Sequence, residues 1–280
     1  MMEANTNLAQ LPTLAEDYEL SAEQIASFQK NGHIFLKNVL KPEEVDIYEP
    51  ILEGVVREHN NQTKPVEERD TYGKAFIQIT NLCEMSESAK RFAYARRFAK
   101  IAAELMGVDG VRLYHDQALF KEPGGGHTPW HQDQTYWPLS NNKSITLWMP
   151  LVPVSEEIGS MTFVDESYQS GYLSRQDISD ESHKTIGSYV TGKGLPTTNY
   201  GAMDAGDATF HAGWTIHSAP GNPSDRMREV MTIIYIADDM IVAEPDSNAR
   251  RSDLNSWFPG IKPGELAASP LNPVLYNKNA

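Results

Sequence analysis

A mainly β fold, a sandwich or jelly roll with helices packed against it, is what this sequence of 280 residues predicts. Two observations carry the prediction. Up to Gly107 apolar residues recur at helical spacing, whereas after it the chain breaks into short runs rich in β-branched and aromatic residues, punctuated by Gly and Pro. A helical front half followed by an antiparallel back half suits a sheet-centred architecture with flanking helices rather than an alternating α/β one. The length alone suggests about two domains, but a β barrel or sandwich can occupy it as one. The expected organisation is a flexible tail over residues 1–16 and one domain over 17–280.

The elements follow in order. Ser21 with Gln24 forms a capping-box signature, Ile25 and Phe28 share a face, and Gly32 closes a helix over about 21–31. Residues 33–40 read as a strand. Pro42, Glu43 and Glu44 open a second helix reaching about His59, which buries Val45, Tyr48, Leu52, Val55 and Val56 and is expected to kink at Pro50. Residues 60–71 are loop-like. A third helical stretch, 86–106, carries a stripe from Phe92 to Leu105 and stops at Gly107. Strands are expected over 111–120, 130–136, 144–149, 160–164, 208–218 and 229–236. Residues 171–205 and 238–280 read as irregular, the length at which loops become lids or crossovers.

Charge and cysteine usage exclude several functions. With 24 Lys+Arg against 38 Asp+Glu the net charge is −14, which repels nucleic-acid phosphates and anionic lipid surfaces. Cys83 is the single cysteine, so neither an intrachain disulfide nor a multi-cysteine metal cluster can form. Residues 1–16 lack a basic and apolar leader, and no apolar run approaches 18 residues. The expectation is a cytoplasmic protein acting on a small molecule, with no nucleic-acid or membrane partner. Its oligomeric state is not legible.

The chemistry centres on His131-Gln132-Asp133, at the start of a predicted strand. Side chains at i and i+2 on a strand share a face, so the imidazole and carboxylate project into one cavity. A third ligand is available in His217, at the end of another predicted strand. Two histidines and one carboxylate on one side of a metal form the facial triad of non-haem Fe(II) oxygenases. His211 has the same strand parity as His217 and is its most serious rival; His115 and His127 are the other candidates. After His217 a run of turn formers, Ser218 to Asp225, folds the chain back, and a tight hairpin centred on Asn222-Pro223 sets Arg228 opposite His217. An arginine fork beside an open metal position is what a dicarboxylate co-substrate needs. Each motif alone has an ordinary structural reading, and their combination in this order favours the metal site. Tyr114, Trp130, Tyr136, Trp137 and Trp214 are candidate cavity walls or plain core.

On these residues the chain resembles the phytanoyl-CoA dioxygenase (PhyH-like) family of Fe(II)/2-oxoglutarate oxygenases, from the Ser21 helix to about Tyr235. The supporting motifs are Leu113 to Lys121 with Glu122 and Pro123, Trp130 to Asp133, Thr146 to Trp148, Gly206-Asp207, and His217 through Arg228. The resemblance implies a double-stranded β-helix (jelly-roll, cupin-like) core. It implies iron on His131, Asp133 and His217, and Arg228 gripping the far carboxylate of 2-oxoglutarate. It adds Gln117, Trp148 and either Gln78 or a neighbour within Ala75 to Asn81 as co-substrate contacts, and the shared parity of Gln117 and Lys121 makes the lysine a candidate secondary anion contact. Implied activity is hydroxylation of an unactivated C–H with O₂, 2-oxoglutarate passing to succinate; desaturation, epimerisation and ring formation use the same centre. Asp133 argues against halogenation, for which relatives replace the carboxylate with a small residue. The chain departs from the family at Asp165-Glu166-Ser167-Tyr168, where a Pro-Gly-Ser-His run is common, and at Ala219, where serine is common and Ser218 stands one residue earlier. Outside this class a zinc hydrolase could use the same three ligands but has no use for Arg228, and a binding protein with a decayed site would not need all three. Arg96, Arg97 and Lys100 are a candidate basic patch for an anionic substrate, or a solvated helix face.

Overall fold

The structure is a computed structural model that describes residues 8–173 and 178–280. The strands are β1 (His33–Leu36), β2 (Ile77–Thr80), β3 (Gly110–Phe120), β4 (Thr128–His131), β5 (Ser144–Pro150), β6 (Thr162–Val164), β7 (Thr197–Asn199), β8 (Ala208–Ala212), β9 (His217–Ala219), β10 (Val230–Ala237) and β11 (Val274–Asn277). The helices are α1 (Ala22–Asn31), α2 (Pro42–His59), α3 (Thr71–Ala75), α4 (Leu82–Met85), α5 (Glu87–Ala93), α6 (Arg96–Met106), α7 (Asp180–Gly192) and α8 (Asn248–Trp257). The major sheet runs β1-β8-β5-β10-β3-β11 with β2 also on β3, and the minor sheet runs β4-β9-β6-β7. All the described pairings are antiparallel. Two facing antiparallel sheets with flanking helices are the predicted jelly-roll architecture. No helix among the described residues is long and apolar enough to cross a membrane.

Alternation across the major sheet separates core from cavity. Ile145, Leu147 and Met149 of β5 point outward into the main hydrophobic core with Phe92, Phe98, Ile101 and Leu105 of the helices. The intervening Thr146 and Trp148 line a cavity between the sheets. Register aligns the cavity face in rows: His33, His211, Thr146, Ile234 and His115 are successive cross-strand partners, and one step along lie Phe35, Thr209, Trp148, Thr232 and Gln117. The rows are roughly 7 Å apart, two residues of strand rise.

Several local expectations hold and others are corrected. Ser21 caps α1 with both capping-box bonds, and Gly32 closes it at φ 81°. Helix α2 spans the predicted 42–59, continuing through Pro50. The 86–106 stretch is two helices, α5 and α6. At six residues apart on one straight helix, Phe92 and Phe98 would point about 120° away from each other; the turn at Tyr94-Ala95 brings their rings to 5.4 Å between centroids. The 208–218 strand is also two, because the turn after Ala212 carries the chain from the major to the minor sheet. Residues 171–205 and 238–280 contain α7, β7, α8 and β11 rather than loop alone. The tail is shorter than predicted: Leu11 and Leu14 are buried in the main core, and Tyr48 OH donates to Pro12 O at 2.6 Å.

The supposed basic patch is consumed by pairing. Arg97 is 3 % exposed and forks onto Glu44 at 2.6 and 2.9 Å; Arg96 pairs with Asp17, and Lys100 with Asp17, Glu19 and Glu104. Truncating one member of a buried pair strands the other charge, at about 3–5 kcal/mol. Arg97→Ala is therefore expected to lower unfolding stability by about that amount, read as a lower urea midpoint with an unchanged slope.

Candidate active site

Three side chains converge where the sheets approach. His131 ends β4 and His217 opens β9, and the two are direct cross-strand partners. Their rings lie 4.1 Å apart. Asp133 is not on the predicted strand: it opens a 3-10 turn over Asp133–Thr135. Gln132 remains extended at φ −127°, ψ 124°, so alternation persists through it. His131 and Asp133 face the cavity, while the Gln132 amide turns away to donate to Gly171 O and Trp214 O. Ligand atoms of His131, Asp133 and His217 all lie within 4.8 Å of one another. Asp133 Oδ1 is 3.4 Å from His131 Nε2 and 3.6 Å from His217 Nε2.

The surrounding hydrogen bonds orient both imidazoles in the way a metal site requires. His131 Nδ1 lies 2.7 Å from Pro129 O and His217 Nδ1 3.0 Å from Thr215 O. A carbonyl oxygen only accepts, so both Nδ1 atoms carry the proton and both Nε2 lone pairs point at the centre. Asp133 Oδ2 accepts from Thr146 Oγ1 at 2.9 Å and from His211 Nε2 at 3.1 Å, leaving Oδ1 directed at the two imidazoles. Burial favours protonation of Asp133, but the surrounding imidazoles, His217 first and then His131 and His211, outweigh it and hold the carboxyl well below the usual range. Burial, and then the neighbouring histidines, hold His217 well below the ordinary imidazole value. Two imidazole nitrogens and a carboxylate oxygen on one face match the donor set of a divalent iron site. The rivals are otherwise engaged: His211, beside the same centre, commits its Nε2 to Asp133, His115 stacks on Trp257 at 4.5 Å, and His127 packs edge-on against His183.

Arg228 lines the same cavity by a route other than the predicted hairpin. Its antiparallel bridge partner is Lys121, and His217 pairs instead with His131 and Phe163. The turn after β9 returns the chain to the other sheet, so β9 and β10 do not pair. The arginine is 2 % exposed, with its guanidinium 5.5 Å from the Trp148 ring. Nη1 donates to Gly159 O at 3.0 Å and Nη2 to Leu119 O at 3.4 Å, while Nε has no protein partner among the described residues. Burial pulls its pKa down to about 9. Gly159 sits at φ +100°, and a Cβ there would come within 2.7 Å of Arg228 Nη1, so only glycine lets the guanidinium seat.

The remaining assignments divide. Gln117 and Trp148 line the cavity, as does Gln78, joined by Tyr72 OH donating to Gln78 Oε1 at 2.7 Å and Gln78 Nε2 donating to Gln117 Oε1 at 2.5 Å. Lys121 does not: its fully buried side chain sits behind the wall, hydrogen-bonded to Gly126 O and to Oγ1 of the lining residue Thr128. None of Asp165, Glu166, Ser167 and Tyr168 lines the cavity, whereas Ser218 and Ala219 do. Of the proposed aromatic walls Tyr136 and Trp137 line it. Tyr114 is core, Trp130 packs against α7, and Trp214 packs on Tyr172. The cavity measures about 410 Å³. Sequence reasoning missed Asp253 and Trp257 on its wall because they lie in the 238–280 segment read as irregular, and Tyr72 because it follows the 60–71 loop in a stretch given no element; Ser247 as an N-cap signals α8.

Comparison with known proteins agrees with this architecture. The chain is 22% identical over 238 residues to a probable alpha-ketoglutarate-dependent hypophosphite dioxygenase of Stutzerimonas stutzeri, covering 78% of this chain and 79% of that protein. It is 22% identical over 242 residues to a probable phytanoyl-CoA dioxygenase of Caenorhabditis elegans, covering 79% and 77%. The crystal structure of the non-heme alpha ketoglutarate dependent carbocyclase SnoK from nogalamycin biosynthesis superposes with a TM-score of 0.75 at 22% identity, over 94% of this chain and 98% of that one. The epimerase SnoN, solved with Fe3+, alpha ketoglutarate and nogalamycin RO, gives 0.74 at 24% identity, over 91% and 98%. The family model for phytanoyl-CoA dioxygenase (PhyH) matches residues 28–230, which is more than half of the chain, and the chain belongs to that family.

Proposed function

We propose that His131, Asp133 and His217 hold the iron of this 2-oxoglutarate-dependent dioxygenase, that Arg228 receives the far carboxylate of 2-oxoglutarate, and that residues 17–280, with Leu11 and Leu14 packed onto their core, act as one catalytic unit hydroxylating a C–H of a small organic substrate. The bound iron supplies the oxidative chemistry: 2-oxoglutarate and O₂ give succinate and CO₂, and the second oxygen atom enters the substrate as a hydroxyl. The protein's part is geometric and electrostatic. Pro129 O and Thr215 O fix the tautomers, Thr146 and His211 aim Oδ1 of Asp133, and the Arg228 fork supplies charge-assisted donors deep in a buried pocket. Trp148 backs the guanidinium, and the Tyr72-Gln78-Gln117 chain presents neutral polar groups along the same wall. The site is cytoplasmic in this reading, in keeping with the unpaired, buried Cys83.

The observation that carries this reading is one cavity holding both the convergent His-Asp-His set and a buried arginine with an unpartnered Nε. A hydrolase on zinc needs the first feature and has no use for the second. Fe(II)-dependent release of succinate from 2-oxoglutarate tests it; tight zinc with no such turnover would sink it. In the same reading His211 is a positioning residue. His211→Ala is expected to weaken Fe(II) binding by about 10–100-fold, measured by competition with a coloured chelator, and His211→Gln, which keeps an N–H toward Asp133, to recover part of the loss.

A further inference from the structure

The cavity has two chemically different ends. Arg228 lies six residues along the strand from Ile234, about 20 Å of backbone, and Ile234 is the cross-strand partner of both Thr146 and His115. Beyond His115 the wall comes from α8. Trp257 stacks on the His115 ring at 4.5 Å and 28°, and Asp253, one turn earlier on the same helix, accepts at Oδ2 from Tyr114 OH at 2.8 Å. Tyr72 stands near both acids, its hydroxyl feeling the charges of Asp133 and Asp253. This lobe is therefore walled by aromatic rings around one carboxyl group outside the metal triad.

That carboxyl lacks a cation. Among the described residues lining the cavity, Arg228 is the one lysine or arginine, and it stands at the other end. Arg250 shares α8 with Asp253 but donates to Thr135 O and Gln134 O and pairs with Asp246. Burial pulls His115 down to about 4, so it is uncharged at neutral pH. Burial likewise pushes Asp253 up to about 7 against the opposing hydrogen bonds from Tyr114 and Trp257, which are neutral donors and supply no counter-charge. A partly desolvated carboxyl beside aromatic rings that line the same cavity is complementary to an organic cation, which gains both the ion pair and cation–π attraction. It is hostile to phosphonates, carboxylates and acyl-CoA thioesters, whose negative charge would meet Asp253 and Asp133 together.

We propose that the substrate is an amine-bearing organic molecule whose ammonium group pairs with Asp253 and packs on Trp257 and Tyr72, presenting a nearby C–H to the metal site. The proposal rests on reading the cavity as an oxygenase site. Its test is calorimetric titration of phenethylammonium, 2-phenylethanol and phenylacetate, three probes alike in shape, into the anaerobic Fe(II)- and 2-oxoglutarate-loaded enzyme and into the metal-free chain. Phenethylammonium is expected to bind at least about ten-fold more tightly than the other two. Asp253→Asn should lower its affinity by about that factor, and Asp253→Glu should restore it; circular dichroism of each variant checks folding. Equal affinities, a preference for phenylacetate, absence of phenethylammonium binding, or an unaltered affinity in Asp253→Asn would overturn the proposal. Binding of 2-oxoglutarate in the same preparations reports on the oxygenase reading separately, so the two failures are distinguishable.

Discussion

Arg228→Ala is expected to raise the 2-oxoglutarate KM by about 30-fold to several thousand-fold, corresponding to roughly 2–5 kcal/mol for removing one partner of a buried charge pair. The magnitude follows from burial. At 2 % exposure the guanidinium is screened by little solvent, and it faces the cavity with Nε still unpartnered. Without it a far carboxylate would sit desolvated between Trp148 and Leu119 with no counter-charge. Since this contact is made in the ground state and retained through the reaction, kcat at saturating 2-oxoglutarate should fall far less than kcat/KM. Arg228→Lys keeps the charge but loses the planar fork and the bonds to Gly159 O and Leu119 O, so it should recover only part of the affinity. Steady-state kinetics over a wide 2-oxoglutarate range separates these outcomes, and an equal loss of kcat and kcat/KM would contradict the role.

The second large effect is at Asp133. Asp133→Ala removes the one carboxylate aimed at the two imidazoles, so Fe(II) affinity should fall by more than the roughly 10–100-fold typical of losing an outer partner, and iron-dependent turnover should vanish. His131→Ala should do the same. The two differ in what they leave behind. Asp133→Ala also strips acceptors from Thr146 Oγ1 and His211 Nε2, which costs about 1–3 kcal/mol for a buried donor left unsatisfied; His131→Ala releases only the contact to Pro129 O. Thermal unfolding of the metal-free variants should therefore show the larger drop for Asp133→Ala, while both lose iron. Retention of full iron-dependent activity by either variant would exclude it as a ligand.

The fold class and the convergence of His131, Asp133 and His217 were legible in the sequence for a physical reason. The helix-to-strand switch at Gly107 is a periodicity signal that needs no tertiary information, and His131-Gln132-Asp133 keeps its alternation because Gln132 stays extended even though the strand has ended. Arg228 was legible by residue type but not by register: the chain crosses between sheets after β9, and which sheet a strand joins depends on long-range pairing. The choice between His211 and His217 could not be made from strand parity, since both rings face the same centre, 4.4 Å apart. What separates them is the second atom each ring touches, a carboxylate for His211 and a backbone carbonyl for His217. The α8 wall was invisible because that helix has no strong apolar stripe and no buried residues of its own. Its role is to set Asp253 and Trp257 over a cavity formed by other elements.

The central claim is that one cavity couples a His131-Asp133-His217 metal site to an Arg228 carboxylate site. Its most direct test is anaerobic titration of 2-oxoglutarate into wild-type protein with and without Fe(II), alongside Arg228→Ala. One molecule should bind per chain, with affinity that drops sharply when either Fe(II) or the arginine is removed. Binding of 2-oxoglutarate that is indifferent to both, or absent from the Fe(II)-loaded wild type, would contradict it.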